Sequence, residues 1–332
     1  MRPFLLLIVA ASAFAADVSK LRIYELGKPG ADKLADLPAR YAEAMDMGYT
    51  AEMPNPVFRL SDLAFLPEGR PERLDLYVQY ARDFKVRRPG VLFIHGGGFT
   101  GGDKAEYRSA SVSADLARAG YVVVSCNYLL GPKNKEGVWP RNIADCRDAV
   151  RWMRANADAL GLDPKRIAVA GGSAGGYLAL MVGLSDDKTG PGGDPSAEVS
   201  AKVSAVIDMY GVVNFSKHGK GDVPGVPAAG QQAYLPEMQC DAQDPAVLIL
   251  HGTADTTVDI SQSDDMAKAL RAAKVSHEYV VVDGAPHTFD LHPKGKGWKR
   301  AGWFAGAEVG GSSESADVTM ATLDFLSRTI GK

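Results

Sequence analysis

The chain has 332 residues, 46% of them hydrophobic and 23% charged, with 36 glycines and a formal net charge of −3. That composition excludes a disordered or collagen-like chain and leaves no basic surplus for a nucleic-acid partner. Three cysteines are too few for a dense disulfide scaffold, and the length admits one large α/β domain or two small ones.

The first residues read as a secretory signal over 1–15. Arg2 gives a positive start, Pro3 to Ala11 an apolar run, and Ala13-Phe14-Ala15 a small-x-small cleavage site. Cleavage after Ala15 predicts a secreted or periplasmic product. The run is too short to span a bilayer, and no later stretch approaches the ~18 apolar residues of a spanning helix. Cys126, Cys146 and Cys240 survive cleavage. Cys126 and Cys146 fall on apolar strand and helix positions, where cysteine serves as a small buried hydrophobe, and one bridge stays open.

Residues 16–56 read as an N-terminal extension packing on the core, with a helical stretch over 32–47, and residues 57–332 as one α/β domain. Segments 57–65 and 73–80 form a predicted hairpin, with Leu74, Leu76 and Val78 on one face of its second strand. Short apolar runs follow at 91–94, 121–125, 167–170, 203–209, 246–250 and 279–282, the pattern of parallel strands buried on both faces. Helical periodicity lies between most of them. It is clearest at 142–160, with Ile143, Cys146, Val150 and Met153 on one stripe, and at 317–330. This order predicts a mostly parallel central sheet with helices on both faces. Segments 185–196, 217–244 and 291–315 read as loops, the last holding six glycines with Trp298 and Trp303.

The chemistry-bearing motifs sit at strand ends. Gly171-Gly172-Ser173-Ala174-Gly175 is a G-x-S-x-G segment between the strand at 167–170 and a helix-prone run, the setting of a nucleophile elbow. Gly171 and Gly175 let strand and helix approach, and Ser173 is presented at the helix N-terminus, where an oxyanion is favoured. His95-Gly96-Gly97-Gly98-Phe99 follows the strand at 91–94 and matches an oxyanion loop. Gly97, Gly98 and Ala174 N–H are the predicted donors, each worth on the order of 3 kcal/mol in a transition state. His95 is assigned to holding that loop. Asp255 follows the strand at 246–250 and His287 the strand at 279–282, so Ser173, Asp255 and His287 occur in the α/β-hydrolase order. Asp208, Asp259 and Asp283 also stand near strand ends. Asp208 lies within a strand and Asp283 is too near His287 in sequence, so Asp255 ranks first. His218, His277 and His292 are read as surface residues and His251 as structural. No H-x-x-H, H-E-x-x-H or C-x-x-C occurs, and Gly101-Gly102-Asp103-Lys104 lacks phosphate-loop spacing, so neither metal nor cofactor is expected.

These residues resemble the α/β-hydrolase esterases similar to hormone-sensitive lipase, in the feruloyl or acetyl-xylan esterase-like branch. The resemblance spans about 74–330. It rests on His95-Gly-Gly-Gly-Phe-Thr-Gly-Gly-Asp103-Lys104, Gly171-Gly-Ser-Ala-Gly-Gly176, His251-Gly-Thr-Ala-Asp255 and Pro286-His287. It implies a serine carboxylic-ester hydrolase acting on short-chain, aryl or acylated-carbohydrate esters. Two departures stand out: Tyr177 replaces the histidine frequent in that branch, and 211–245 is short for a lid, which predicts an open cleft. Trp298 and Trp303 either stack on a substrate ring or pin their loop to the domain. The alternatives are an amide or peptide hydrolase on the same three residues and a non-catalytic binding module on the same fold.

Overall fold

The computed structural model describes residues 23–25, 57–79, 83–132, 138–219, 221–289, 300–304, 307–313 and 318–331. The expected signal and the helical stretch at 32–47 lie outside them. Within the expected extension, Ile23–Glu25 forms a short strand, β1, parallel to β2 (Val57–Leu63).

From β2 onward the chain follows the predicted order. β3 (Leu74–Gln79) runs antiparallel to β2 and to β5 (Val122–Cys126). β4 (Arg88–Ile94) lies parallel between β5 and β6 (Leu162–Gly172). β7 (Ala205–Met209), β8 (Ala246–Gly252) and β9 (His277–Val282) continue in parallel. Among the described residues the sheet order is β1-β2-β3-β5-β4-β6-β7-β8-β9-β10-β11. The chain leaves β4 first to one side and then returns to the other, and the crevice at such a reversal is where open α/β sheets place ligands.

Residue parity decides which face each side chain enters. Leu92, Ile94, Val122, Val124 and Val169 join one core cluster, while Val91, Phe93, Val123, Ala168 and Ala170 join the other. Both faces are dry, which is why the strands read as unbroken apolar runs. The first cluster is covered by α2 (Arg141–Ala155), α4 (Ala174–Leu184) and α5 (Ser261–Ala272), the second by α1 (Tyr107–Arg118) and α6 (Val318–Thr329).

Four local expectations are corrected. The helix expected over 142–160 breaks at Asn156, whose Nδ2 donates to Trp152 O at 2.8 Å and caps α2. A separate turn, α3 (Ala157–Leu160), then ends on left-handed Gly161. The segment 217–244 is not wholly irregular, because Ala228–Tyr234 and Pro236–Met238 wind into 3₁₀ turns. The loop expected over 291–315 contains β10 (Arg300–Phe304) and β11 (Ala307–Ser313), an antiparallel hairpin added to β9. Pairing there covers an otherwise open sheet edge despite the glycines. Trp303 falls on β10, and Trp298 lies outside the described residues. His277 is buried at the start of β9, its Nδ1 2.9 Å from Val275 O, rather than on the surface. His218 is half-buried, and His292 lies outside the described residues.

One buried ionic cluster ties the β2–β3 hairpin to the segment after β4. Asp75, fully buried, accepts from Arg59 Nη2 at 2.7 Å, from Lys104 Nζ at 3.0 Å and from Asp62 N at 2.9 Å. Removing a carboxylate shared by two cations leaves buried charge uncompensated. Asp75→Ala is therefore expected to lower unfolding free energy by about 3–5 kcal/mol in a urea titration. Disrupting the exposed Arg87–Asp158 pair is expected to leave the midpoint unchanged. Equal effects of the two would contradict this weighting.

Candidate active site

The site is assembled at the C-terminal ends of β4, β6, β8 and β9. At the end of β6 the backbone reverses at Ser173 with φ 59° and ψ −122°, then enters α4 directly. A bulky neighbour would prevent this. A Cβ on Gly171 would collide with the Gly175 carbonyl, and one on Gly175 with the Ile94 carbonyl. The turn is also tied on both sides, since Ser173 N donates to Met209 O at 2.8 Å and Tyr177 N to Ser173 O at 3.1 Å. Ala174 opens α4, where the first N–H groups have no acceptor within the helix.

His287 and Asp255 reach this serine in one line. His287 Nε2 lies 3.1 Å from Ser173 Oγ, and His287 Nδ1 lies 2.7 Å from Asp255 Oδ2. That geometry places the imidazole proton on Nδ1 and leaves Nε2 to accept from the serine hydroxyl. Asp255 Oδ1 accepts from Thr257 N at 2.8 Å and Val258 N at 2.9 Å. Burial alone raises a carboxyl pKa, but His251, His287 and these two amides outweigh it, so Asp255 is held well below the usual carboxylate range.

The other candidate acids have different employment. Asp259 Oδ1 accepts from Ser261 N at the start of α5, and Asp283 accepts from Thr253 Oγ1. Asp208 is wholly buried on β7, with Oδ1 accepting from Gly211 N at 2.9 Å and Oδ2 without a partner among the described residues. Burial pushes its carboxyl up to about 7, against the smaller lowering by His251 and Gly211 N. The sequence assigned His251 a structural role. It also braces the acid: Ser263 Oγ lies 2.6 Å from Nδ1, Nε2 donates to Val258 O at 2.9 Å, and the same nitrogen lies 3.3 Å from Asp255 Oδ2.

The loop after β4 lies against the elbow. A Cβ built on Gly96 would sit 3.4 Å from Ser173 Cβ. Gly97, Gly98 and Phe99 then take left-handed φ values of 108°, 63° and 66°, with the two glycines exposed. His95 anchors this turn. Its Nδ1 lies 2.7 Å from Gly96 O, its ring stacks on Tyr128 at 4.4 Å, and Tyr128 Oη donates to His95 O at 3.1 Å. Burial lowers the His95 pKa to about 4, so the ring stays neutral and serves as a brace. Further along the loop, Lys104 N donates to Asn127 Oδ1 and Asn127 Nδ2 to Asp103 Oδ2.

Three residues at the site, Trp139, Phe215 and Tyr210, carried no motif. Phe99, Trp139, Tyr177 and Phe215 form a ring cluster beside the elbow, with Phe99–Trp139 at 4.9 Å and Tyr177–Phe215 at 5.3 Å. Tyr177 Oη donates to Tyr234 O at 2.9 Å, so this departure from the family pattern fastens the segment after β7 to α4. Tyr210, just past β7, places its ring 4.7 Å from that of His287. Only the position of Tyr210 just past a strand end marked it in advance.

Known proteins resemble this arrangement. The BD-FAE family model matches residues 74–270, more than half of the chain. A probable carboxylic ester hydrolase of Mycobacterium tuberculosis, LipM, is 30% identical over 273 residues, covering 74% of this chain and 61% of LipM. The carboxylesterase NlhH of the same organism is 41% identical over 138 residues, covering 38% of this chain and 42% of NlhH. The chain thus spans only part of these relatives' lengths. Among solved structures, a truncated carbohydrate esterase from gut microbiota superposes with a TM-score of 0.68 at 22% identity, over 85% of this chain and 99% of that one, and shares the fold. Thermogutta terrifontis esterase 2, phosphonylated by cyclosarin, superposes with a TM-score of 0.62 at 25% identity, over 81% and 92%. The sheet order, the elbow and the family match converge: the chain is an α/β-hydrolase of the BD-FAE family.

Proposed function

We propose that the chain is a serine carboxylic-ester hydrolase in which Ser173, His287 and Asp255 act as nucleophile, base and acid. The carrying observation is the unbroken hydrogen-bond line from Ser173 Oγ through His287 to Asp255. The names of the esterase relatives support an ester rather than an amide substrate.

In this reading Ser173 Oγ attacks the acyl carbon as its proton passes to His287 Nε2. Negative charge develops on the former carbonyl oxygen, and Gly97, Gly98 and Ala174 N–H are the donors assigned to it. Asp255 holds the imidazolium that forms. His287 then returns the proton to the leaving alcohol, leaving an acyl-serine. Water repeats the sequence, giving up its proton to His287 and releasing the carboxylic acid and Ser173. The short connection after β7 fits short-chain, aryl or acylated-carbohydrate esters better than long lipid chains.

A panel of p-nitrophenyl acetate, butyrate and laurate with acetylated and feruloylated oligosaccharides tests this. Ser173→Ala is expected to lower every turnover by about 10⁴-fold or more with the thermal midpoint retained. Equal activity in the two proteins, or laurate as the preferred ester, would contradict the reading.

The two buried carboxylates separate cleanly. Asp255→Asn is expected to cost about 10⁴-fold in kcat by disturbing the His287 tautomer, and Asp208→Asn less than about tenfold. Asp208 keeps its proton in the folded state up to about 7, whereas an unfolded aspartate loses it near ~4. Its contribution to stability is thus full below the lower value and is lost as pH rises to the higher. Asp208→Asn should gain stability relative to wild type between those values in parallel denaturant titrations, and a constant difference would contradict the assignment. Export through residues 1–15 is part of the same proposal: intact mass of exported protein should begin at Ala16, and a mass beginning at Met1 would exclude it.

A further inference from the structure

Two glycines flanking the nucleophile have no backbone reason to be glycine. Gly96 and Gly172 both lie outside the left-handed region. In G-x-S-x-G the position of Gly172 is unrestricted. Space explains both. A Cβ on Gly172 would overlap Arg108 Nη2 and lie 2.7 Å from Arg108 Cζ, whereas a Cβ on Gly96 would lie 3.0 Å from Gly172 O, with Arg108 Nη1 at 3.5 Å. The guanidinium of Arg108, the second residue of α1, thus fills the volume that a side chain just before the nucleophile would occupy, and it lies in ordinary contact range of Gly96 in the loop after β4. Arg108 is only 6% exposed, so burying this cation must be offset by what it holds.

What it holds is Tyr210. Arg108 Nη2 donates to Tyr210 Oη, and its Cζ lies 5.0 Å from the Tyr210 ring centroid. Tyr210 is fully buried and takes φ 44°, an unfavourable value for a bulky residue, with its N–H donating to Leu250 O at 2.8 Å. Its ring meets His287 edge-on, 4.7 Å between centroids at 63°, and Phe289 at 5.3 Å. Asp255 fixes one edge of the imidazole. Tyr210 is packed against the ring itself, and a base misplaced by about 1 Å loses on the order of 100-fold in rate.

We propose that Arg108 is a positioning residue: seated in the space left by Gly172, it anchors Tyr210, which sets the ring plane of His287. This rests on the serine-hydrolase reading, so the wild-type and Ser173→Ala comparison is run first. With that difference established, a failure below counts against the positioning role alone.

The test is a double-mutant cycle on the full chain with p-nitrophenyl acetate, using Arg108→Met, Tyr210→Phe and their combination, with Gly172→Ala and Arg108→Lys alongside. Arg108→Met and Gly172→Ala should each lower kcat about 10- to 100-fold with KM within about threefold. Tyr210→Phe should lower kcat about tenfold. The double variant should be no slower than the slower single one, because both remove the same anchor. Arg108→Lys, which keeps the charge and a donor, should recover part of the loss. Four results would overturn the proposal: kcat within twofold of wild type in Arg108→Met, KM rising at constant kcat, fully multiplicative effects in the double variant, or Arg108→Lys no better than Arg108→Met. If Arg108→Met does not fold, Gly172→Ala with Tyr210→Phe carries the cycle, and kcat within twofold of wild type in Gly172→Ala, KM rising at constant kcat, or fully multiplicative effects in the double variant would overturn the proposal.

Discussion

The architecture around the site depends on one strained residue. Ser173 occupies a backbone region that costs a non-glycine residue of order 1–3 kcal/mol. It stays there because the strand and helix it joins are pressed together. Gly171 and Gly175 have carbonyls where a Cβ would stand, and Met209 O takes the Ser173 N–H. The Gly175 contact is with the Ile94 and His95 carbonyls, so the elbow exists only if β4 lies directly beside β6. That adjacency brings Gly96, at the start of the loop after β4, against the serine. Parallel β8 and β9 deliver Asp255 and His287 to the same end of the sheet.

Electrostatics divides otherwise similar groups by partners as well as by depth. Asp255 and Asp208 are both buried carboxyls at strand ends near His251. Asp255 has two backbone amides and two imidazoles and is held ionised. Asp208 has one amide and an orphaned oxygen, and burial favours its proton. His95 and His287 differ likewise: one is sealed against Tyr128 and braces a loop, while the other remains partly open between an acid and a hydroxyl.

Sheet, helices and the three polar residues were legible because each leaves a local mark. Buried parallel strands are apolar runs, amphipathic helices are periodic, and glycine clusters mark turns that exclude Cβ atoms. What escaped depends on contacts between distant segments. The break at Asn156 is a side-chain cap inside a periodic stretch. The β10–β11 hairpin hides in a glycine-rich segment whose strand character comes from the β9 edge. His277 is buried by its neighbours rather than by its pattern. Arg108 and Tyr210, far apart in sequence, acquire meaning only when α1 and β7 close around the elbow, although Gly172 marked the space they needed.

In the proposed function the elbow turns Ser173 into a nucleophile. The most direct measurement is peptide mass spectrometry after treatment with a fluorophosphonate, which needs no knowledge of the natural ester. A Ser173 activated by His287 should carry a single phosphonyl adduct that is lost in His287→Ala. A folded protein that remains unlabelled, or is labelled equally without His287, would contradict it.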